Sequence, residues 1–248
     1  MRVSTFLLVL AACSDAPSSI DGAIGLDRPP LQKQGQFIVL QTTQAPIATV
    51  IAGYFGTNVR APIVTERDQG PCHITREGEP SRVLDSAGQM RVTASGPSTS
   101  IVTLQPTAAA YSDSTDSLRY LGGESLLIEG MGAVVPAFSA TIEVPRRLQL
   151  TETSILFHKN DDFTISWDPV DNDVMLTIIQ SPTTIRCTFA GATGTGTAPA
   201  AAFSDMIVSQ PGRMSVGTDV RGDTMAGDYA LELETVFIAV SAPFTVSN

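Results

Sequence analysis

The chain has 248 residues, with 15 Lys and Arg against 25 Asp and Glu and a formal net charge of −10. An acidic surface repels phosphate, which excludes nucleic acid as a partner and disfavours direct docking on anionic lipid. Hydrophobic residues make up 43%, enough to build a core, so wholesale disorder is excluded too.

The first fifteen residues read MRVSTFLLVLAACSD. Arg2 gives a positive start, Phe6 to Ala12 form a short apolar run, and Cys13 follows. A charged start, an apolar run and small residues before a cut spell a secretory signal. The run falls far below the ~20 apolar residues of a membrane-spanning helix. Leu10-Ala11-Ala12-Cys13 resembles the bacterial lipobox, which implies lipidation of the Cys13 thiol and cleavage before it. The other reading is an ordinary secretory signal. Ser14 in place of Asp favours the outer membrane. A diacyl or triacyl cysteine supplies the more than one chain that stable anchoring needs. Losing residues 1–12 removes Arg2 and no acid, which takes the net charge to −11.

Residues 13–35 are rich in Pro, Ser, Gly and Asp and show no period, which predicts a tether. From Gln36 the texture changes. Phe37 to Leu40 and Ile47 to Phe55 are β-branched and aromatic runs cut by turn residues, which reads as strands. Residues 57–88 are the least regular stretch, mostly loop with a short strand at His73 to Thr75. Met90, Val92 and Ala94 alternate with polar neighbours, and Ile101 to Leu104 return after Gly96-Pro97-Ser98. Ala108 to Leu118 reads as a polar loop around Tyr111. Leu126 to Ile128 and Phe138 to Val144 are further strands, separated by a turn over 130–136.

A soft boundary falls near Pro145. Beyond it Phe163, Ile165 and Trp167 share one face of the clearest strand, with Thr164, Ser166 and Asp168 on the other. Trp167, the sole tryptophan, sits where an immunoglobulin-like sandwich keeps its central aromatic. Val174 to Ile179 and Ile185 to Phe189 follow. Residues 190–198 read as a flexible small-residue linker, and Pro199 to Met206 as the one helical segment, with Pro at its first position. Met214 to Thr218, Tyr229 to Leu233 and Val236 to Val240 close the series. Short strands with Gly and Pro turns predict an all-β chain. The expected layout is a signal over 1–12, a tether over 13–35, a β-sandwich over 36–145 and an immunoglobulin-like or fibronectin-like sandwich over 146–248.

Three segments carry a resemblance: LGGESLLIEGMGAVVPAFSATIEVP (121–145), FTISWDP (163–169) and TIRCTFAGATGTGTAPAAAFSDM (184–206). They resemble a group of uncharacterised β-rich surface lipoproteins of myxobacteria and their relatives. The resemblance implies a lipobox, a polar leader and two β-rich halves. It implies no activity.

With Cys13 acylated, Cys72 and Cys187 remain. Outside the cytoplasm they either bridge or stay separate thiols, Cys187 then buried as a small apolar residue. His73 and His158, the only histidines, stand in no metal-binding spacing. No GxSxG elbow is present. Asp161, Asp162, Asp168, Asp171 and Asp173 suit a calcium loop or simple hairpin turns, and no DxDxDG pattern appears. Gly194-Thr195-Gly196 lacks the Lys-Ser/Thr of a phosphate loop. The reading is therefore of no metal and no cofactor. It describes a non-enzymatic, lipid-anchored envelope module that holds an envelope protein or glycan. The alternative is a secreted hydrolase or glycan-processing enzyme whose paired carboxylates the spacing does not single out.

Overall fold

The computed structural model describes residues 33–42, 49–79, 81–95, 99–115, 118, 120, 122–151 and 158–245. The expected signal over 1–12, Cys13 and most of the expected tether over 13–35 lie outside the described residues. The strands are β1 (Lys33–Thr42), β2 (Thr49–Thr57), β3 (Ile63–Gln69), β4 (Cys72–Glu77), β5 (Val83–Leu84), β6 (Met90–Ser95), β7 (Ser100–Leu104) and β8 (Ala110–Thr115). They continue with β9 (Ser125–Gly130), β10 (Phe138–Glu143), β11 (Phe163–Ser166), β12 (Val174–Gln180), β13 (Thr183–Phe189), β14 (Thr195–Ala198), β15 (Pro211–Ala226) and β16 (Tyr229–Thr245). Two single-turn 3-10 helices, Gly191–Thr193 and Ala200–Phe203, complete the list. The described chain is all-β.

β15 and β16 form one hairpin of 16 and 17 residues, about 55 Å long at ~3.3 Å per residue. They lie in the middle of a ten-stranded sheet of order β3-β4-β13-β12-β15-β16-β1-β2-β5, with β8 also on β2. β1 runs parallel to β16 from Lys33↔Tyr229 to Thr42↔Ile238. A four-stranded sheet, β10-β9-β6-β7, and a two-stranded one, β11-β14, complete the layers.

Side chains alternate along a strand, so the even positions of β15 share one face. Met214 and Val216 belong to one core; Val220 packs against another and Ala226 belongs to it. Both cores therefore sit on the same face of the long sheet, one after the other. The first lies under β6–β10, with Phe37, Phe55, Tyr111, Leu126, Ile128 and Tyr229 fully buried. The second holds Trp167, Leu176, Cys187, Phe203 and Met214 around β11 and β14. Between them the chain from Glu143 to Leu150 crosses the sheet. Thr235 donates its hydroxyl to the Glu143 carbonyl at 2.7 Å, and Thr218 donates to Arg146 at 2.7 Å. Val144 enters one core and Leu148 the other.

The two cores match the expected pair of sheet-built bodies, but the chain does not divide between them at Pro145. Ile74 and Cys72 from the early half lie in the core of β11–β14, while Ala226 to Phe237 from the late half lie in the core of β6–β10. Sheet pairing at long sequence separation produces this exchange, and local pattern does not register it.

Other expectations change as well. Lys33 to Gly35, expected in the tether, open β1 because Tyr229 to Leu231 offer them a parallel partner. Residues 63–77 form a hairpin rather than loop. β3 is an edge strand with both faces wet, so it shows no alternation. Residues 110–115 are strand, and Tyr111 is buried with its hydroxyl donating to the Gly88 carbonyl at 2.6 Å. The expected helix after Pro199 is one 3-10 turn. The expected linker at 190–198 is a turn plus β14, paired to β11. Its small residues are required by contact: a Cβ at Gly196 would lie 2.4 Å from the Phe189 ring.

Cys72 and Cys187 face each other on paired strands β4 and β13 and are bonded, S–S 2.06 Å. The loop closed spans 115 positions, which the chain-entropy model values at about 4–5 kcal/mol. Replacing both by Ser is expected to lower the unfolding free energy from chemical denaturation by that order and the midpoint with it, with the far-ultraviolet spectrum retained; an unchanged midpoint contradicts it. Residues 146–248 expressed alone are expected to show no cooperative thermal transition, because β1 and β4 are missing from beside β16 and β13. A sharp transition in that fragment contradicts the shared-strand architecture.

Candidate functional site

The long sheet has a second face, turned away from both cores. Residues of β1 and β16 on it alternate with the core set: Gln36, Ile38 and Leu40 on one strand, Glu232, Glu234 and Val236 on the other. All six are buried. Ile38, Leu40 and Val236 form a small apolar group against Ile238. Beside it lies the densest set of charges among the described residues.

Arg186 of β13 donates through Nη2 to Asp219 Oδ2 at 2.8 Å and stands 3.4 Å from Glu234 Oε1. Arg221 of β15 donates through Nε to the same Asp219 oxygen at 3.1 Å. Its other nitrogens reach Glu234 at 3.4 Å and Glu232 at 3.8 Å. Arg60 binds Glu232 from the loop after β2. Three arginines thus interleave with three carboxylates on strands that the register forces side by side. An ion lattice of this kind needs every partner, because removing one leaves a buried charge uncompensated.

Burial acts on these acids more strongly than the arginines do. It pushes the Glu234 carboxyl up to about 7, with Arg186 opposing and Asp219 reinforcing the rise. Burial also raises Glu232 and Asp219, against the pull of Arg60 and Arg186 respectively. At the end of the lattice an open cleft of about 330 Å³ is lined by Gln34, Arg60, Asp223, Thr224, Met225, Glu232 and their neighbours. Gln36, opposite Glu232 in the register, keeps a buried Nε2 with no hydrogen-bond partner. Chemically the set offers polar recognition. Glu232 is taken up by Arg60 and Arg221, and Glu234 by Arg186 and Arg221, so neither stands open as an acid or base.

The residues weighed from sequence lie elsewhere. His73 is half-buried on β4, which lies between β3 and β13, with Nδ1 2.7 Å from Asp68 Oδ1. His158 is exposed, at the edge of the described residues. Asp162 accepts from the Ala200 amide at 2.8 Å, and Asp171 pairs with Arg146 at 3.4 Å. Among the described residues no three His, Cys, Asp or Glu side chains converge as metal ligands. Trp167 is structural: its Nε1 donates to the Gly191 carbonyl at 2.7 Å. Cys13 lies outside the described residues. Sequence reading missed the charge lattice. The alternation Leu231-Glu232-Leu233-Glu234 was visible, but glutamates opposite a core face read as wet. Only the pairing with β1 and β15 shows them enclosed.

No family model and no curated protein sequence matches the chain. Among solved structures, a two-domain fibronectin type III segment of chicken tenascin is similar at 11% identity and TM-score 0.22, over 75% of this chain and 97% of that one. The first three fibronectin domains of chicken CNTN1 are similar at 8% identity and TM-score 0.23, over 82% and 76%. The all-β assignment stands on the strand pairing described above.

The lattice has a pH consequence. A carboxyl whose folded pKa lies above its ordinary value of 4.5 binds its proton more tightly in the folded state. Its stabilising contribution is full below that value and is lost as pH rises through about 7. Glu234 is therefore expected to make the protein less heat-stable at pH 8 than at pH 5. Glu234→Gln, which stays neutral throughout, is expected to flatten that slope in melts followed by circular dichroism. A slope unchanged by the substitution assigns it to other groups.

Proposed function

We propose that this chain is a lipid-anchored protein of the bacterial cell envelope, held at the outer membrane through Cys13. Its β body serves there as a non-catalytic binding or structural module, with an envelope protein or glycan as its partner. The observation that carries the reading is the lipobox-like Leu10-Ala11-Ala12-Cys13 after a short apolar run. The architecture supports it. The chain from Cys13 enters the fold at one extreme of the long sheet, where Lys33 pairs with Tyr229. A body attached there stands on end, with the core of β6–β10 nearer the anchor, the core of β11–β14 beyond it, and the far end of the sheet about 55 Å out, at ~3.3 Å per strand residue. The bridge between Cys72 and Cys187 suits an oxidising compartment. The carboxylates of the buried lattice are engaged by arginines, which supports recognition or scaffolding over acid–base chemistry.

The test is the N-terminus itself. Mass spectrometry of the chain isolated from its host is expected to find an acylated Cys13 as the first residue. Cys13→Ser is expected to move the protein from the membrane fraction to the soluble one. An intact residue 13 with a free thiol, or a membrane fraction insensitive to the substitution, overturns the reading.

A further inference from the structure

The end of the sheet at which the N-terminal chain enters has an unusual surface. Residues 130–137 read Gly-Met-Gly-Ala-Val-Val-Pro-Ala and contain no charge. Met131, Ala133, Val134, Pro136 and Ala137 are exposed, and Val135 alone is tucked under. Met131 is 46% exposed and Val134 61%, far from the burial their side chains favour in water. The loop is not loose. Met131 donates its amide to the Gln89 carbonyl, Gly132 to Ala87 and Val135 to Ser86, at 2.9, 2.9 and 3.0 Å. These bonds hold the apolar side chains outward.

The tip of the β15–β16 hairpin stands against this loop. It turns at Gly227, with φ of 62°, and a Cβ there would lie 2.8 Å from Pro136. Met225, 61% exposed, lies on the other face of the hairpin, beside Asp223 in the charged cleft, and is no part of this surface. Val83, 63% exposed and opposite Thr57, is a further exposed apolar side chain at this end of the sheet. Lys33 and Asp228 at the tip are paired with each other at 3.1 Å.

We propose that loop 131–137 forms a docking surface for the phospholipid bilayer that holds the anchor. The proposal rests on the lipid-anchor reading above. The chain outside the structure carries the argument for a lipid occupant. Twenty residues, 13–32, separate Cys13 from the start of β1. They span at most about 65–70 Å when fully extended, and they end at Lys33, beside the hairpin tip. The chain from the anchor therefore joins the body at this end, next to the apolar loop. A tether of that reach leaves the body free to stand off; the apolar loop brings it down. Uncharged contacts suit the neutral part of a bilayer and are indifferent to the acidic net charge that disfavours anionic headgroups.

The experiment uses the full chain, isolated with its native N-terminus and reconstituted on phosphatidylcholine vesicles. An environment-sensitive fluorophore is placed at Val134→Cys in one sample and at Ile207→Cys in another. Ile207 is comparably exposed, at 59%, and belongs to the far end, where its amide donates to Gln180 at the close of β12. Lipids carrying a nitroxide on the acyl chain are expected to quench the label at 134 several-fold more than the label at 207. Flotation of the protein with equal, weak quenching at both positions overturns the docking surface and leaves the anchor standing. Failure of the protein to float with the vesicles overturns both. Val134→Asp combined with Met131→Asp, read from a label at Ala133→Cys, is expected to abolish quenching while flotation persists; quenching that survives the pair overturns the assignment of these side chains.

Discussion

Everything in this fold depends on the hydrogen-bonded pairing of β15 with β16. The hairpin is long enough to form the floor of two cores, and every other strand of the large sheet is placed by reference to it. β12 and β13 extend it on one side, β1 and β2 on the other. The one irregularity, a register shift at Val216/Gly217 opposite Val240/Ile238, falls where one core gives way to the next. An extra residue in one strand bends and twists the ladder locally, and Ala239 supplies it here. The two cores are thereby built on a single floor that changes direction between them. Thr218 and Thr235 lie just beyond the shift, on the side toward the hairpin tip, and give their hydroxyls to the connector that crosses the sheet. Arg147 joins this waist, 5.4 Å above the Phe237 ring and bonded to the Tyr120 carbonyl.

Much of the strand content was legible because one-sided burial leaves a period of two. Phe163, Ile165 and Trp167, or Tyr229, Leu231 and Leu233, identify their faces without help. What escaped was of two kinds. Edge strands such as β3 have no dry face, so their composition is that of loops. The opening of β1, Lys33 to Gly35, has no apolar alternation of its own and takes its place from Tyr229 to Leu231 beside it. The exchange of segments between cores escaped for a different reason: a boundary read from Pro145-Arg146-Arg147 is local, whereas Cys72↔Cys187 and Lys33↔Tyr229 are pairings between remote stretches. Nothing near Cys72 announces its partner.

The buried lattice of Arg60, Arg186, Arg221, Asp219, Glu232 and Glu234 was illegible on the same grounds. Each residue taken alone belongs to a surface. Their juxtaposition comes from four sites, on β13, β15, β16 and the loop after β2, none of which carries a diagnostic motif. The lattice also restricts the fold. A slip of one residue in β16 would turn Leu231 and Leu233 outward and bring Glu232 and Glu234 into the core. Charge and grease thus specify the same register from opposite faces.

The parallel seating of β1 between β16 and β2 has a mechanical side. Tension arriving at Lys33 from the preceding chain runs along the strand axis. The rungs to both neighbours then bear the load together, as in a lap joint, instead of parting one after another as a zip does. A body hauled by this end resists extraction far better than one hung from a terminal hairpin.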